Sequence, residues 1–434
     1  MRYGALILTA VMATSSACAS ARPATHGNDH ASPGRTPVIG ASSMDSERDI
    51  VLAVANPIEP PSVHAGSSLL GYTPARRYGA GQRAAADLAA LKQKYGLREL
   101  TGWPIKALGL YCVVLEPSPG VARDPVLKAL AGDARVRLAE PLHDYSVYTQ
   151  ESHGSPQDND PYVSLQRGFI ETDAAIAHNF TQGTGVRIAI VDTGVDTTHP
   201  DLRGRIRDVH NMVDDDTVAF NHDSHGTEVA GVIAADGDNK QGIVGMAPGA
   251  TLSIYKACWY PPTPAAAAKC NSFTLAKALT AIIDTDIRII NLSLGGPADP
   301  LLNQLLARLL EQGDIVIAAM PPDGNIDGFP VDVPGVIAVR MSAVSAALPG
   351  ILSAPGKDIL TTQPGGGYDF TSGASMAAPH VTGIAALLLS LTPKLDAHTI
   401  HDLLLRSSKV SNGTVQVNAA SAVATLRSMH KAGY

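Results

Sequence analysis

Three short segments set an acid, a base and a hydroxyl among neighbours that are almost all small or apolar. Asp192 follows the run Val186-Arg187-Ile188-Ala189-Ile190-Val191 and opens Asp192-Thr193-Gly194. His225 stands in Asp223-Ser224-His225-Gly226-Thr227-Glu228-Val229-Ala230-Gly231, and Ser375 in Thr371-Ser372-Gly373-Ala374-Ser375-Met376-Ala377-Ala378-Pro379-His380-Val381-Thr382-Gly383. A serine hydroxyl is a weak nucleophile at neutral pH and needs a base within hydrogen-bond reach. An imidazole serves as that base when a carboxylate fixes its tautomer and stabilises the imidazolium. Taken singly, each residue has an ordinary structural reading: Asp192 as a cap, His225 as a core or surface histidine, Ser375 as a helix-start residue. An aspartic protease needs two carboxylate loops that share a proton, and Asp-Thr-Gly occurs once. No G-x-G-x-x-G turn follows the first strand, which weakens the dinucleotide reading. Ala377 stands where the G-x-S-x-G elbow of α/β-hydrolases has its second glycine.

The order Asp192, His225, Ser375, with the segment around each, resembles the signatures of the subtilisin-like serine proteases, peptidase family S8. The resemblance covers about residues 161–434 and includes Asn291-Leu292-Ser293-Leu294-Gly295-Gly296. It implies a serine endopeptidase working through an acyl-enzyme on Ser375, a polypeptide as substrate, and chemistry that requires no cofactor. It also implies that Ser293, Leu294, Gly295 and Gly296 pair with the substrate backbone and line its first pocket. Asp201, in His199-Pro200-Asp201-Leu202, matches a position that supplies a calcium ligand in many relatives, with Asn239 as a further oxygen donor; solvated loop residues are the alternative.

The chain departs from the family pattern at the oxyanion. Pro321, in Met320-Pro321-Pro322-Asp323-Gly324-Asn325, falls where an asparagine donor is expected, and proline has neither a side-chain donor nor an N–H. Ala374 replaces a common threonine beside the nucleophile. Losing one donor costs on the order of 100 to 1,000-fold in turnover. Two readings follow: a slow protease, rescued if the loop folds back so that Asn325 donates, or a protein that cuts its own amino-terminal part once and then acts as a binder or scaffold. Asp-Gly-Asn is also strong turn chemistry, so Asn325 has a purely structural reading.

The elements that must position these groups form an α/β pattern. Apolar runs Val186–Val191, Leu252–Ala257, Ile287–Leu294, Ile315–Ala319 and Val336–Val339 alternate with helical stretches, which predicts a three-layer domain around a mostly parallel sheet. Such sheets carry their sites at the carboxyl ends of the strands, where Asp192 falls. Ahead of it, Ile50–Val54, Ala84–Tyr95, Leu110–Leu115, Pro125–Ala131 and Val136–Leu142 alternate strand and helix patterns, predicting a small α+β, ferredoxin-like module. By resemblance, that module is the family's inhibitory propeptide. The predicted layout is a signal peptide at 1–21, a flexible tether at 22–48, the module at 49–148, a linker at 149–160 and the catalytic domain at 161–434.

Composition bounds the partners. Of 434 residues 17% are charged, against an ordinary value of about 25%, and 45% are hydrophobic, which fits a globular chain. A net charge of −7 leaves no basic surface for nucleic acid. Arg2, the apolar run Tyr3–Met12 and small residues to Ala21 have the layout of an export signal, and Ser15-Ser16-Ala17-Cys18 resembles a lipobox, so Cys18 is either a lipid anchor or part of a removed leader. No transmembrane helix is expected beyond it. Cys258 and Cys270 are expected to be bridged in an exported protein, two free thiols being the alternative, and Cys112 to be buried.

Overall fold

A computed structural model describes residues 44–57, 79–147, 150–151, 162–214, 216–237, 239–261, 267–342, 349–411 and 414–431. The signal, Cys18, most of the tether and most of the linker lie outside the described residues. The amino-terminal layer runs β1 (Ile50–Ala55), α1 (Gln82–Tyr95), β2 (Leu97–Ile105), β3 (Leu110–Pro117), α2 (Arg123–Ala131) and β4 (Val136–Pro141). Its strands form one antiparallel sheet in the order β2-β3-β1-β4. Strand β2 has no counterpart in the sequence expectation, because Arg98, Glu99, Gly102 and Pro104 break its apolar pattern. Side chains alternate along β1. Ile50, Leu52 and Val54 pack under α1 and α2, while Val51 and Ala53 face the rest of the protein.

The chain then forms β5 (Asp144–Val147) and β6 (Gln150–Glu151), short helices α3 (Arg167–Glu171) and α4 (Ala174–His178), β7 (Arg187–Asp192), β8 (Ile206–Asn211), α5 (Thr217–His222), α6 (Ser224–Ala234), β9 (Thr251–Lys256), β10 (Cys258–Trp259) and β11 (Lys269–Asn271). There follow α7 (Ser272–Ile282), β12 (Ile289–Leu292), β13 (Leu294–Gly295), α8 (Pro300–Glu311), β14 (Ile315–Ala319), β15 (Ile337–Met341), β16 (Leu352–Ala354), β17 (Ile359–Gln363), β18 (Gly367–Ser372), α9 (Ala374–Leu391) and α10 (Ala397–Ser407). Seven strands make the central sheet, ordered β16-β15-β14-β12-β7-β9-β8 and parallel at every pairing.

Both faces of that sheet are covered, which is why its strands read as unbroken apolar runs. Ile188 and Ile190 of β7 pack with Val229 and Ile233 of α6 and with Val381 and Ile384 of α9. Ala189 and Val191 face the opposite layer, Leu275 and Leu279 of α7 and Leu305 and Leu309 of α8. The amino-terminal sheet rests on that second layer, with the Trp103 ring edge-on to Phe273 at 4.9 Å between centroids. It therefore shares one compact unit with the larger domain. Helix α9 is long and apolar enough to cross a membrane, yet 83% of it is buried as the central helix of the core.

The expected strand Ile287–Leu294 is two strands. β12 stays in the parallel sheet, whereas β13 leaves it and pairs antiparallel with β5, Leu294 opposite Val147 and Gly295 opposite Ser146. On its other edge β5 pairs with β11, Cys270 opposite Tyr145. The segment 144–147 thus lies as a middle strand between two walls, and Gln150–Glu151, expected to be linker, pairs with Thr371 and Ser372 of β18 just before the Ser375 helix.

Candidate active site

Asp192 is the last residue of β7, and His225 lies in the first turn of α6. The two meet: Nδ1 of His225 is 2.7 Å from Oδ1 of Asp192, with both side chains buried. The N–H of Thr193 donates to the same oxygen at 2.6 Å. Close approach of strand end and helix requires a glycine. A Cβ on Gly226 would lie 2.4 Å from the Gly194 carbonyl, inside contact distance. The Ser224 side chain does not cap α6. Asp223 is the N-cap residue, and the Ser224 hydroxyl pairs with Tyr260 Oη at 2.7 Å. The backbone N–H of His225 also donates to Tyr260 Oη, at 3.0 Å. Tyr260 follows β10, whose Cys258 stands directly opposite Cys270 in β11 and is joined to it by a disulfide. Cys112 is a buried free thiol whose pKa burial pushes up.

Burial works against the charged form of His225, but the charge and hydrogen bond of Asp192 outweigh it, with Glu228 adding to them, and the imidazole pKa is raised. Among the described residues Nε2 of His225 has no hydrogen-bond partner. Behind the pair, Asp223 accepts from the Gly194 N–H at 2.8 Å and from the buried ammonium of Lys256. Glu228, one turn along α6, is buried with Oε1 accepting from Gln363 at 2.9 Å, and desolvation pushes its carboxyl up.

Ser375 is buried in the first turn of α9, which packs against α6. Pro379 lies in the sixth position of that helix and has no N–H to give the carbonyl of Ser375, four residues back. Ser293 supplies the missing donor: its hydroxyl donates to the Ser375 carbonyl at 2.9 Å. Asn291 Nδ2 donates to Ser293 Oγ at 3.0 Å, and Thr382 of α9 closes the chain onto Asn291 Oδ1 at 2.7 Å. Of the expected substrate-binding residues, Leu294 and Gly295 pair with β5, Ser293 tethers the Ser375 turn, and Gly296 lies against the Tyr145 ring. Asn325 is exposed in a turn at Gly324, φ +77°, with its Oδ1 accepting from the Asp327 N–H at 2.9 Å.

The expected calcium pair needs correction. Asp201 and Asn239 meet, but as acceptor and donor. Asn239 Nδ2 donates to Asp201 Oδ1 at 2.8 Å, and the Ile243 N–H donates to Oδ2 at 2.9 Å. Hydrogen-bond donors occupy both oxygens of a buried carboxylate, where a calcium site needs six or more converging oxygens. Among the described residues no group of three or more Asp, Glu, His or Cys side chains is placed to hold a metal. These residues do not fit the ion.

Sequence reasoning missed the polar groups that only the fold assembles: Tyr260, Lys256, Glu228, and a junction around Asp299. There Glu140 of β4 faces Asp299, and burial, then the charge of Asp299, pushes its pKa up to about 9. It is thus neutral at pH 7.

A parallel sheet covered on both faces thus carries Asp192 and His225 paired at one strand end and Ser375 at the head of the neighbouring helix. The family model for Peptidase_S8, described as the subtilase family, matches residues 183–425. The chain belongs to that family and is a serine-type peptidase. It is 36% identical over 281 residues to a thermophilic serine proteinase of a Bacillus species (strain AK1), an alignment covering 62% of this chain and 66% of that one. To thermitase of Thermoactinomyces vulgaris it is 35% identical, over 54% of this chain and 85% of the relative; to subtilisin E of Bacillus subtilis it is 32% identical, over 65% and 72%. The fold is shared with fervidolysin of Fervidobacterium pennivorans, TM-score 0.66 at 21% identity, over 87% of this chain and 61% of that structure.

Two outcomes follow from the geometry. Excess EDTA should leave the unfolding temperature of the Ser375→Ala chain unchanged; a fall of several degrees would restore the cation. Because an imidazolium cannot accept a proton, Ser375-dependent turnover should fall as pH drops through the raised His225 pKa. Asp192→Asn removes the charge that raises it, so the residual activity, lowered about 10⁴-fold, should have its acid limb at lower pH.

Proposed function

We propose that the chain is an exported endopeptidase in which Asp192, His225 and Ser375 form the catalytic triad and the part amino-terminal to the cleft is its own inhibitory propeptide. The observation that carries this reading is the buried Asp192–His225 hydrogen bond at 2.7 Å, one packed helix away from Ser375. His225 takes the Ser375 proton through Nε2 as Oγ attacks the substrate carbonyl, and Asp192 stabilises the imidazolium. The leaving amine then receives that proton, and a water activated by His225 hydrolyses the acyl-enzyme. The oxyanion is held by the backbone N–H of Ser375 at the amino end of α9, where the helix dipole favours negative charge. The disulfide suits an oxidising compartment outside the cytoplasm.

The propeptide reading of residues 49–148, a β-α-β-β-α-β ferredoxin-like unit, is supported by the path of the chain out of it. An extended peptide bound as an added strand is read through its backbone, and β5 is such a strand between β11 and β13. Among the described residues β5 ends at Val147, and the next pairing sets Gln150 opposite Ser372. On this reading the scissile bond falls between Val147 and Gln150, within the 145–160 stretch expected to be processed, and the catalytic domain follows it. A second reading, one self-cleavage followed by service as a binder, draws on Pro321, which has no side-chain donor, and on Asn325, which is exposed with its Oδ1 taken by the Asp327 N–H.

A fluorophosphonate probe on the full chain tests the enzyme reading. Labelling should occur in the wild type and vanish in Ser375→Ala, and mass spectrometry should find the wild type alone parted between Val147 and Gln150. Absence of Ser375-dependent labelling removes the reading; a cut elsewhere removes the assignment of β5. Repeated turnover of an added peptide excludes single self-cleavage. Asn325→Ala should leave kcat unchanged, whereas a loss of about 100-fold would make Asn325 the oxyanion donor.

A further inference from the structure

The Tyr145 side chain occupies an enclosed pocket with a polar floor. Its ring is 1% exposed and meets Phe329 edge-on at 5.4 Å between centroids. Gly296 makes room for it, since a Cβ there would lie 2.4 Å from Tyr145 Cδ1. At the far end Tyr145 Oη donates to Asp299 Oδ2 at 2.9 Å. In the full chain Asp299 is fully buried, with Glu140 of β4 facing it. Its Oδ1 accepts from the N–H groups of Leu301 and Leu302 at 3.0 Å each as the cap of α8, and Ser272 Oγ donates to Oδ2 at 2.6 Å. This carboxylate cannot turn toward water or away from the ring without breaking the cap.

We propose that this pocket is a subsite selecting a phenol side chain in substrates, with Asp299 as the residue that reads the hydroxyl. The proposal rests on β5 being bound as a substrate strand, and it names a substrate class for the same cleft: peptides with tyrosine at the position that Tyr145 holds. An apolar pocket of this size would take phenylalanine or leucine as readily as tyrosine and cannot strongly discriminate a hydroxyl. A buried carboxylate inverts that preference. A phenylalanine leaves one of its hydrogen bonds unmade where no water replaces it, and hydrogen bonds to charged groups correspond to about ten- to a hundredfold in an equilibrium constant. The backbone of Tyr145 is fixed as well, opposite Cys270 in the disulfide-bridged β10–β11 hairpin, so the ring enters the pocket in one register.

Two measurements test this. In the first, the self-processed protein is given peptides with the sequence of residues 143–151 carrying Tyr, Phe or Leu at the position of Tyr145. The Tyr peptide should exceed the Phe peptide in kcat/KM by tenfold or more, and Asp299→Asn, which retains a cap for α8, should bring the ratio toward one. Equal kcat/KM for the Tyr and Phe peptides overturns the proposal while leaving the protease reading intact. The second needs no activity: in the full-length Ser375→Ala chain, Tyr145→Phe should speed amide hydrogen exchange at Ser146 and Val147 about tenfold. Adding Asp299→Asn should add little to that. Unchanged exchange overturns the proposal. If no peptide is cleaved in a Ser375-dependent way, the protease reading fails and the subsite falls with it, whatever the exchange measurement shows of the Tyr145–Asp299 contact.

Discussion

The carbonyl of Ser375 is the joint on which the site turns. In an uninterrupted helix it would be spent on the N–H four residues ahead, but Pro379 has none, so the oxygen is left to accept from Ser293. One hydrogen bond thereby ties the start of α9 to the stretch between β12 and β13, where the chain leaves the parallel sheet to pair with β5. Asn291 and Thr382 close the loop from strand back to helix. The Ser375 turn and β13 are thereby coupled through the core.

A second constraint acts at the other helix. α6 is drawn onto the end of β7 by Gly226, anchored at its amino end by the Tyr260 hydroxyl, and backed by Asp223 and Lys256. Burying an ion pair is costly unless both partners are satisfied, and Asp223 meets this condition by also accepting from Gly194. That arrangement places charge behind the Asp192–His225 pair in a region with little water, where electrostatic terms are large. The disulfide contributes at one remove, since it staples the hairpin from which Tyr260 reaches the histidine and on which β5 is laid.

The amino-terminal layer is joined to the larger domain by packing and by polar groups that suit a dry junction. Trp103 and the inward side of β1 supply apolar area, while Glu140 meets Asp299 as a neutral carboxyl. The same Asp299 caps α8 and accepts from Ser272 and Tyr145, so helix position, layer contact and the seat of the Tyr145 ring converge on one carboxylate.

Much of this was legible in the residues. Unbroken apolar runs foretold a covered parallel sheet, because only strands buried on both faces lack alternation. Three local signatures in the order Asp192, His225, Ser375 foretold the family, because each sits in a segment whose small neighbours allow close packing. The Cys258–Cys270 bridge was expected from the compartment, and the fold sets the two opposite each other in a hairpin. Strand β2 escaped, since Gly102 and Pro104 hide an antiparallel strand whose pairing, not its pattern, defines it. Sequence could not show that Asn239 turns its amide N–H, and not its oxygen, toward Asp201, since the fold selects that orientation. Nor could spacing reveal that Tyr260, Lys256 and Asp299 matter, since their partners lie tens to more than a hundred residues away. What the sequence by itself determined is the chemistry available and the layers that carry it, because these depend on residue type and local period. Only the tertiary structure decided which carboxylate meets which hydroxyl and which strand of the chain fills its own cleft, because those contacts are made across the chain when the core closes.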